Sequence, residues 1–158
     1  MVRTASDRQS ELIEAVVGAS RVLVGVAARS LAPFDDNVTL TQFRVLVVLT
    51  QNGPQRVADL AAALGAEPST ATRLCDRLAR KRLVRRQRLA SDRRTVQVAI
   101  SESGRQLVEE VMDRRRAEVS RFLRRMPPAD QEQVITALRM FNEAAGDAAR
   151  HNFSLGWP

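Results

Sequence analysis

The sequence is poor in the residues on which several protein classes depend. Its 158 residues include one Cys, one His and no Tyr. A single Cys cannot form an internal disulfide, and one Cys with one His cannot supply the ligands of a zinc site. These shortages exclude disulfide-stabilised secreted scaffolds and most metalloenzymes. They also leave no basis for predicting a cofactor.

Long apolar runs are scarce as well. The longest, as at residues 22–28, has seven residues, whereas a membrane-spanning helix needs about 20. The polar stretch 2–10 is not followed by the apolar core of a signal peptide. The composition, 44% apolar and 27% charged, is that of a globular protein. We therefore expect a soluble cytoplasmic protein that has no membrane partner.

Positive charge is abundant and unevenly placed. Residues 73–94 contain ten basic and two acidic residues, a sum of +8, and the rest of the chain sums to −1. Such a block is typical of polyanion binding, although a solvated basic face is a common alternative. The block contains no aromatic residue. This disfavours a membrane surface and stacked single strands, so duplex nucleic acid is the favoured partner.

Apolar periodicity predicts long helices at both ends of the chain. One spans residues 7–31, one runs from a Ser101 cap to about residue 126, and one begins at Asp130. The charged stretch 113–116 should face solvent. In a monomer no other element remains to cover the apolar stripes of these terminal helices. The stripes therefore predict a two-fold dimer.

The segment that follows the first helix should be buried at the centre of the fold. Thr41 is predicted as its cap, with Leu40 and Val45 in the positions of a hydrophobic staple. The run 43–49 is apolar on nearly every side, and its β-branched residues would also suit a strand. The start signal and the stop at residues 52–54 favour a helix.

Two shorter helices then form a helix-turn-helix. They are predicted at residues 57–64 and from Pro68 to about Arg82, with Gly65 in the turn. The second helix should turn Ala71, Leu74, Cys75 and Leu78 inward. Its other face carries small hydroxyls and arginines, which can reach phosphates and guanine edges, although the hydroxyls could merely cap the helix. These candidate contact residues are Ser69, Thr70, Thr72, Arg73 and Arg77.

Two strand-like pieces, residues 83–88 and 95–100, predict a β-hairpin after the helix-turn-helix, which is a wing. Val96, Val98 and Ile100 should share one face. The turn between the strands carries Arg93 and Arg94, which could enter a narrow minor groove. We expect a neighbouring carboxylate, that of Asp92, to orient one of these arginines.

The residues now assembled resemble the MarR family of bacterial winged-helix regulators. The resemblance covers about residues 40–107 by motif and the rest by helix order. Two departures are Lys81-Arg82-Leu83, where a Gly is usual, and Ala90-Ser91-Asp92, where a Pro is usual before the acid. The motifs are Leu40-Thr41-Gln42, Val57-Ala58-Asp59-Leu60-Ala61, Leu64-Gly65, Ser69-Thr70-Ala71-Thr72-Arg73-Leu74, Asp76-Arg77-Leu78, Leu83-Val84 with Arg86, Asp92-Arg93-Arg94 and Ser101-Glu102-Ser103-Gly104.

The resemblance implies an obligate dimer whose recognition helix lies in the major groove and whose wing lies in the minor groove. Carried over by position, Ser69, Thr70, Thr72, Arg73 and Arg77 face the major groove. Arg93 and Arg94 face the minor groove, and Arg86 joins the DNA-binding set. Family members are typically repressors released by small aromatic or phenolic ligands or by thiol oxidation. The cavity for such a ligand would be lined by Phe34, Phe43 and Met112, although core packing is the preferred interpretation of these residues.

The lone Cys75 falls on the inward side of the recognition helix, whereas thiol-sensing members of the resembled family carry the reactive Cys in the first helix. Core filling is therefore preferred over sensing.

The predicted fold class is mainly α with a small β-hairpin wing, as one integrated domain. It divides into a dimerisation helix and linker (1–37), a winged helix-turn-helix lobe (38–100), and dimerisation helices with a tail (101–158). The predicted function is a non-enzymatic, homodimeric regulator, favoured as a repressor, that binds a palindromic duplex operator with half-sites about 10 bp apart. The alternative is a non-specific nucleoid protein or a protein-interaction module.

Overall fold

The computed structural model describes residues 5–34, 38–88 and 96–151, with the side chains of the last range described as far as residue 146. The predicted fold class, mainly helical with a small antiparallel hairpin, is confirmed. None of the described helices combines the length and apolar character needed to cross a bilayer. The elements are α1 (Ala5–Leu31), a short 3-10 turn (Ala32–Phe34), α2 (Leu40–Asn52), α3 (Val57–Leu64), α4 (Pro68–Arg80), β1 (Val84–Arg88), β2 (Val96–Ile100), α5 (Glu102–Leu123) and α6 (Pro128–His151).

The second helix, α2, occupies the centre of the core, as its apolar run predicts. Phe43, Leu46 and Leu49 are fully buried, and α2 contacts α3, α4, α5 and β2. Apolar residues on all sides of one helix are stable only where other elements surround that helix. The alternative of a strand for residues 43–49 is therefore wrong.

The cap of α2 lies two residues earlier than predicted. Thr39 caps the helix: its Oγ1 accepts from the Gln42 amide at 3.3 Å, and its own amide donates to Gln42 Oε1 at 3.2 Å. This capping box needs Gln or Glu three residues after the Thr, and Thr41 has Arg44 at that place. Because Thr39 rather than Thr41 is the cap, the two positions of the hydrophobic staple are Val38 and Phe43 rather than Leu40 and Val45.

The helix-turn-helix has the predicted bounds at its turn and a shorter second helix. Gly65 takes the left-handed conformation, with φ +61°, that ends α3. The α4 helix ends at Arg80 rather than at Arg82, because Arg82 itself adopts φ +59°. The Leu83 amide donates to the Leu78 carbonyl and the Arg82 amide to the Ala79 carbonyl, which is the pattern of a Schellman motif.

The departure from the usual Gly at this turn therefore leaves the turn intact, because Arg82 adopts the backbone conformation that Gly would supply.

The hairpin pairs β1 with β2 in antiparallel register, with Val84 opposite Ile100 and Arg86 opposite Val98. Val98 and Ile100 are buried as predicted, but Val96 is 47% exposed, and Ala99 on the opposite face is also buried. The alternation of faces is that of a regular strand, but burial does not follow it, because β2 also packs on α2. The predicted turn at 89–94 lies outside the described residues.

The terminal helices agree with the prediction in position but not in every detail. Helix α6 begins at Pro128, and Asp130 lies in its first turn rather than at its start. This follows from the suitability of Pro for the first helical turn. Ser101 caps α5 as predicted, and its Oγ accepts from the Gly104 amide at 3.0 Å.

One residue of the stretch expected to be solvated is buried. Arg115 is 3% exposed, and its Nε lies 3.5 Å from Ser30 Oγ on α1. Burial lowers the pKa of its guanidinium. The prediction of a fully solvated 113–116 stretch is wrong here, because α1 packs along α5 and covers the turn that carries Arg115.

Candidate nucleic-acid interface

Helix α4 presents a polar and cationic face because its apolar residues are used for packing. Ala71, Leu74, Cys75 and Leu78 are buried, as predicted. The opposite side carries the five predicted contact residues, of which three are exposed and two are half-buried. The exposed ones are Ser69, Arg73 and Arg77, and the half-buried ones are Thr70 and Thr72. Arg73 and Arg77 are one helical turn apart, so the structure brings the predicted α4 residues together on one surface.

Two contacts within α4 determine what this surface can offer a ligand. Arg73 Nη2 donates to Thr70 Oγ1 at 3.2 Å, which holds the guanidinium along the first turns of the helix. Thr72 Oγ1 donates to the Pro68 carbonyl at 2.9 Å. Since a hydroxyl has one proton, Thr72 presents its methyl group and an acceptor to a ligand, whereas Arg73 keeps further donors.

The wing is tied to α4 by an ion pair that the sequence did not reveal. Arg86 Nη2 lies 2.5 Å from Asp76 Oδ1, and both side chains are about half exposed. Exposed pairs of this kind contribute at most about 1 kcal/mol to stability. The effect of this pair is positional, because it joins α4 to β1. The alternation of β1 puts Arg86 on the opposite side of the strand from Arg85, but it does not specify which side faces α4.

The predicted tip of the wing lies outside the described residues. This applies to Asp92, Arg93 and Arg94. Their roles therefore stay predictions.

Two polar side chains of α2 position the helix-turn-helix, and sequence reasoning missed both. Arg44 Nη2 donates to the Leu64 carbonyl at the end of α3 at 3.3 Å. Partial burial lowers the pKa of Arg44. Gln42, only 3% exposed, accepts from Lys81 Nζ at 3.2 Å just beyond α4. A polar residue within an otherwise apolar helix was the available signal for Arg44.

Cys75 lies within the core beneath this surface and is 1% exposed. Burial raises the pKa of its thiol, and this effect outweighs the opposing influence of the nearby Arg86 charge. A thiol that resists ionisation is a poor nucleophile. The geometry thus agrees with the core-filling interpretation.

The three residues predicted to line an effector cavity all belong to the core or its margin. Phe43 is fully buried, while Phe34 and Met112 are partly buried against the same cluster. Arg114 lies over the Phe34 ring, 5.6 Å from its centre. Their role in ligand binding stays a prediction. Among the described residues, no cluster of His, Cys, Asp and Glu could hold a metal ion.

Comparison with known proteins connects this geometry to a family. The model of the MarR family matches residues 38–96. RV1404 from Mycobacterium tuberculosis, known from a crystal structure, has 36% sequence identity to this chain. The match covers 92% of this chain and 97% of that one, with a TM-score of 0.82. The transcriptional repressor MdtR of Bacillus subtilis is 29% identical over 75% of this chain and 77% of its own.

A more distant structure includes a ligand. CouR from Rhodococcus jostii RHA1, bound to p-coumaroyl-CoA, is 26% identical, with a TM-score of 0.57, and the match covers 89% of this chain and 95% of that one. The matched segment 38–96 contains α2, the helix-turn-helix and β1, which are the elements that build the surface described above. The chain therefore belongs to the MarR family and is a DNA-binding transcriptional regulator of the helix-turn-helix type.

Proposed function

We propose that the protein is a homodimeric repressor that binds a palindromic duplex operator. The observation that carries the proposal is the exposed Ser, Thr and Arg face of α4, which adjoins the basic strand β1. A helix can enter the major groove of B-DNA, where every base pair presents a distinct set of donors and acceptors. The density of Arg and hydroxyl groups on this surface suits an anionic partner such as duplex DNA.

Each residue of this face has a distinct proposed role in the major groove. Ser69 and Thr70 lie in the first turn of α4, where the helix dipole favours phosphate. Arg73 and Arg77 reach for base edges, and Arg is the commonest reader of guanine. Thr72, whose proton is engaged within the helix, contributes a methyl contact.

The wing has a separate proposed role. Arg93 and Arg94 enter the adjacent minor groove, where potential is most negative in narrow A·T-rich stretches. Asp92 orients one of them. The ion pair between Arg86 and Asp76 sets the distance between the wing and α4, so Arg86 acts by positioning as well as by charge.

The dimer is proposed from the apolar residues that the chain leaves exposed. On α1 these include Leu12 and Val24, each 65% exposed, and on α6 they include Leu138 and Met140, 51% and 64% exposed. Apolar surface on this scale is stabilised when another surface covers it. A second copy of the chain provides two reading heads, which matches an operator with half-sites about 10 bp apart. The division at 37 and 100 into dimerisation helices and a reading lobe follows from this arrangement.

Repression and release are proposed from the relatives. MdtR is named a repressor, and CouR has been crystallised with an aromatic thioester. A dimer that covers promoter DNA blocks transcription sterically. A small aromatic effector releases the dimer from DNA by binding preferentially to a form in which the two DNA-binding lobes are wrongly spaced. The effector acts only through its differential affinity for the two forms of the dimer. Action on the chromosome places the protein in the cytoplasm.

The test is selection of random duplex DNA by the purified chain at about 150 mM salt, where non-specific binding is suppressed. We expect enrichment of one inverted repeat, preferred over random duplex by roughly 10³-fold or more. Binding that falls with salt and enriches no sequence would overturn the proposal in favour of a non-specific DNA-binding protein. A duplex that carries one half-site alone serves as the control for the dimer.

A further inference from the structure

The motif at residues 101–104, which opens α5, also meets the end of helix α4. The Ser101 hydroxyl accepts from the Gly104 amide at 3.0 Å, as a cap does, and it donates its proton to the Arg82 carbonyl at 2.7 Å. One hydroxyl can do both, because it has one proton and two lone pairs. Ser101 therefore joins two helices that the whole hairpin separates in sequence.

The acceptor of this bond is firmly attached to α4. The Arg82 amide donates to the Ala79 carbonyl at 2.9 Å. The Leu83 amide donates to the Leu78 carbonyl at 3.0 Å. These two bonds make residues 82 and 83 the closing turn of α4, so a group that binds their carbonyls also holds the helix.

The backbone of Ser101 forms a second bond to the same turn. Its amide donates to the Leu83 carbonyl at 3.0 Å, which continues the hairpin ladder by one bond. Any residue except Pro could form that bond. The bond to Arg82 differs, because it requires a donor in the side chain of residue 101.

Close packing at this junction leaves little freedom. Gly104 is buried, and a Cβ at that position would collide with the Leu83 carbonyl oxygen. The first turn of α5 thus lies directly on the turn that ends α4. Elsewhere α4 packs chiefly on α2, α3 and β1, and α5 packs chiefly on α1 and α2. The junction therefore connects the helix that carries Arg73 and Arg77 directly to the helix that packs on α1.

We propose that Ser101 is a positioning residue, whose hydroxyl fixes the angle between α4 and α5 and thereby the half-site spacing that the protein accepts. Helix α4 has 13 residues and is about 20 Å long. A tilt of about 10° at its last turn would move Ser69, at the other end, by about 3 Å, close to the rise of one base pair. This effect on the operator rests on the proposed function, a dimer bound to a palindrome.

A residue that merely capped α5 would form the same bond to Gly104, so the test separates the two bonds of the hydroxyl. Asp and Gly are both accepted at helix caps, and neither has a side-chain donor at neutral pH. Ser101→Asp and Ser101→Gly therefore remove the bond to Arg82 with little change to the cap. Ser101→Thr keeps both the donor and the acceptor. Ser103→Asp puts the same charge at an exposed position of the same turn and is the matched control.

The first measurement uses the selected operator with one base pair added or removed between its half-sites. Fluorescence anisotropy gives the affinity of the full-length chain for each duplex. Ser101→Asp and Ser101→Gly should each lower the preference for the selected spacing by about fivefold, the value of one hydrogen bond. Ser101→Thr and Ser103→Asp should leave the preference unchanged. An unchanged preference in the Asp and Gly variants of Ser101, or an equal loss in the Thr variant, would overturn the proposal.

The second measurement determines the angle between the helices without DNA. Residual dipolar couplings of the backbone amides of α4 and α5 report the relative orientation of the two helices in the free protein. We expect Ser101→Asp and Ser101→Gly to change this orientation and Ser101→Thr to preserve it. The same orientation in all of these proteins would contradict a positioning role for Ser101.

Failure of this role is distinguishable from failure of the proposed function. A chain that selects no palindrome can still show the change of angle in the free protein, which supports the positioning of α4 by Ser101. Conversely, a chain that selects a palindrome, and whose Asp and Gly variants keep both the spacing preference and the helix orientation, is a regulator in which Ser101 only caps α5.

Discussion

Helices α4 and α6 both leave one face uncovered, but the two faces differ in chemistry. On α4 the exposed residues include Ser69, Arg73 and Arg77, whereas α6 exposes Leu138 at 51% and Phe141 at 50%. Hydroxyl and guanidinium groups suit a hydrated anionic partner, and apolar side chains are stabilised by another apolar surface. The comparison teaches that exposure alone does not identify a partner, and that the residue types on the exposed face do.

The largest expected effect comes from making α6 resemble α4. The double change of Leu138→Glu and Phe141→Glu should weaken dimerisation by about a hundredfold or more, because unpaired buried charges cost several kcal/mol. Sedimentation equilibrium measures the change as a shift from dimer to monomer mass. Gln133→Glu, also exposed on α6, adds charge without removing an apolar residue and should have a much smaller effect. A double variant that stays dimeric would show that α6 is not the contact surface.

The next effect concerns how the winged lobe meets α5. Ala in place of Gly104 would put its Cβ 2.2 Å from the Leu83 carbonyl oxygen and 2.8 Å from the Ile100 side chain. Gly104→Ala should lower the free energy of unfolding by about 2–3 kcal/mol, as overpacking does. Urea unfolding gives the value, and Ser103→Ala, at the neighbouring exposed position, is the control. A Gly104→Ala midpoint equal to that of the control would mean that the approach of α5 to Leu83 is readily adjusted.

The third effect tests the polar face of α4. Arg73→Ala should cost about 1–3 kcal/mol of operator affinity and relax the preference at one base position in each half-site. Competition among operator variants, measured by fluorescence anisotropy, detects both changes. Arg116→Ala, which removes an exposed Arg from α5, is the control. If the ranking of operator variants is unchanged, Arg73 contacts phosphate and reads no base.

A smaller effect is expected at the turn between α4 and the wing. Arg82 has φ +59°, a conformation that costs a side-chain-bearing residue roughly 1–2 kcal/mol. Arg82→Gly should therefore raise the free energy of unfolding by about 1 kcal/mol, after allowance for the greater chain entropy of Gly. Arg80→Gly makes the same exchange inside the helix and should lower the free energy of unfolding by about 1 kcal/mol. Chemical unfolding of the two variants should thus give shifts of opposite sign, and shifts of the same sign would refute the explanation.

The smallest effect concerns Cys75. Burial raises the pKa of its thiol in the folded chain. This thiol therefore favours the folded state below the ordinary pKa of a free thiol, and stability falls as pH rises above that value. Cys75→Ala should remove this pH dependence. A maleimide reagent should label Cys75 slowly in the native chain and readily in urea, whereas rapid native labelling would indicate an accessible, sensing thiol.

Local sequence signals were sufficient for most of the lobe. Gly65, the Pro68 start and the alternation of Val98 and Ile100 each specify backbone geometry within a few residues, so the helix-turn-helix and hairpin were predictable. The residues that cap the helices were less predictable. Thr39 and Thr41 are both plausible caps, and the choice depends on whether Gln42 or Arg44 follows three residues later.

Contacts between distant residues were not predictable in the same way. The pairing of Asp76 with Arg86, the burial of Arg115 against Ser30, and the hydrogen bond from Arg44 to the Leu64 carbonyl each join elements whose relative placement no local pattern specifies. The same applies to the pocket that Arg85 of β1 and Arg105 of α5 both line, because these two residues belong to different elements.

The sequence by itself determined the helices, the turn chemistry and the concentration of charge in residues 73–94, because these depend on periodicity, backbone preference and composition. Only the tertiary structure decided which of those charges are free for a ligand. Arg86 is engaged by Asp76, whereas Arg85, its neighbour, lines that pocket on the other side of the strand. The physical reason is that the partner of a charge depends on distances across the fold, and packing sets those distances.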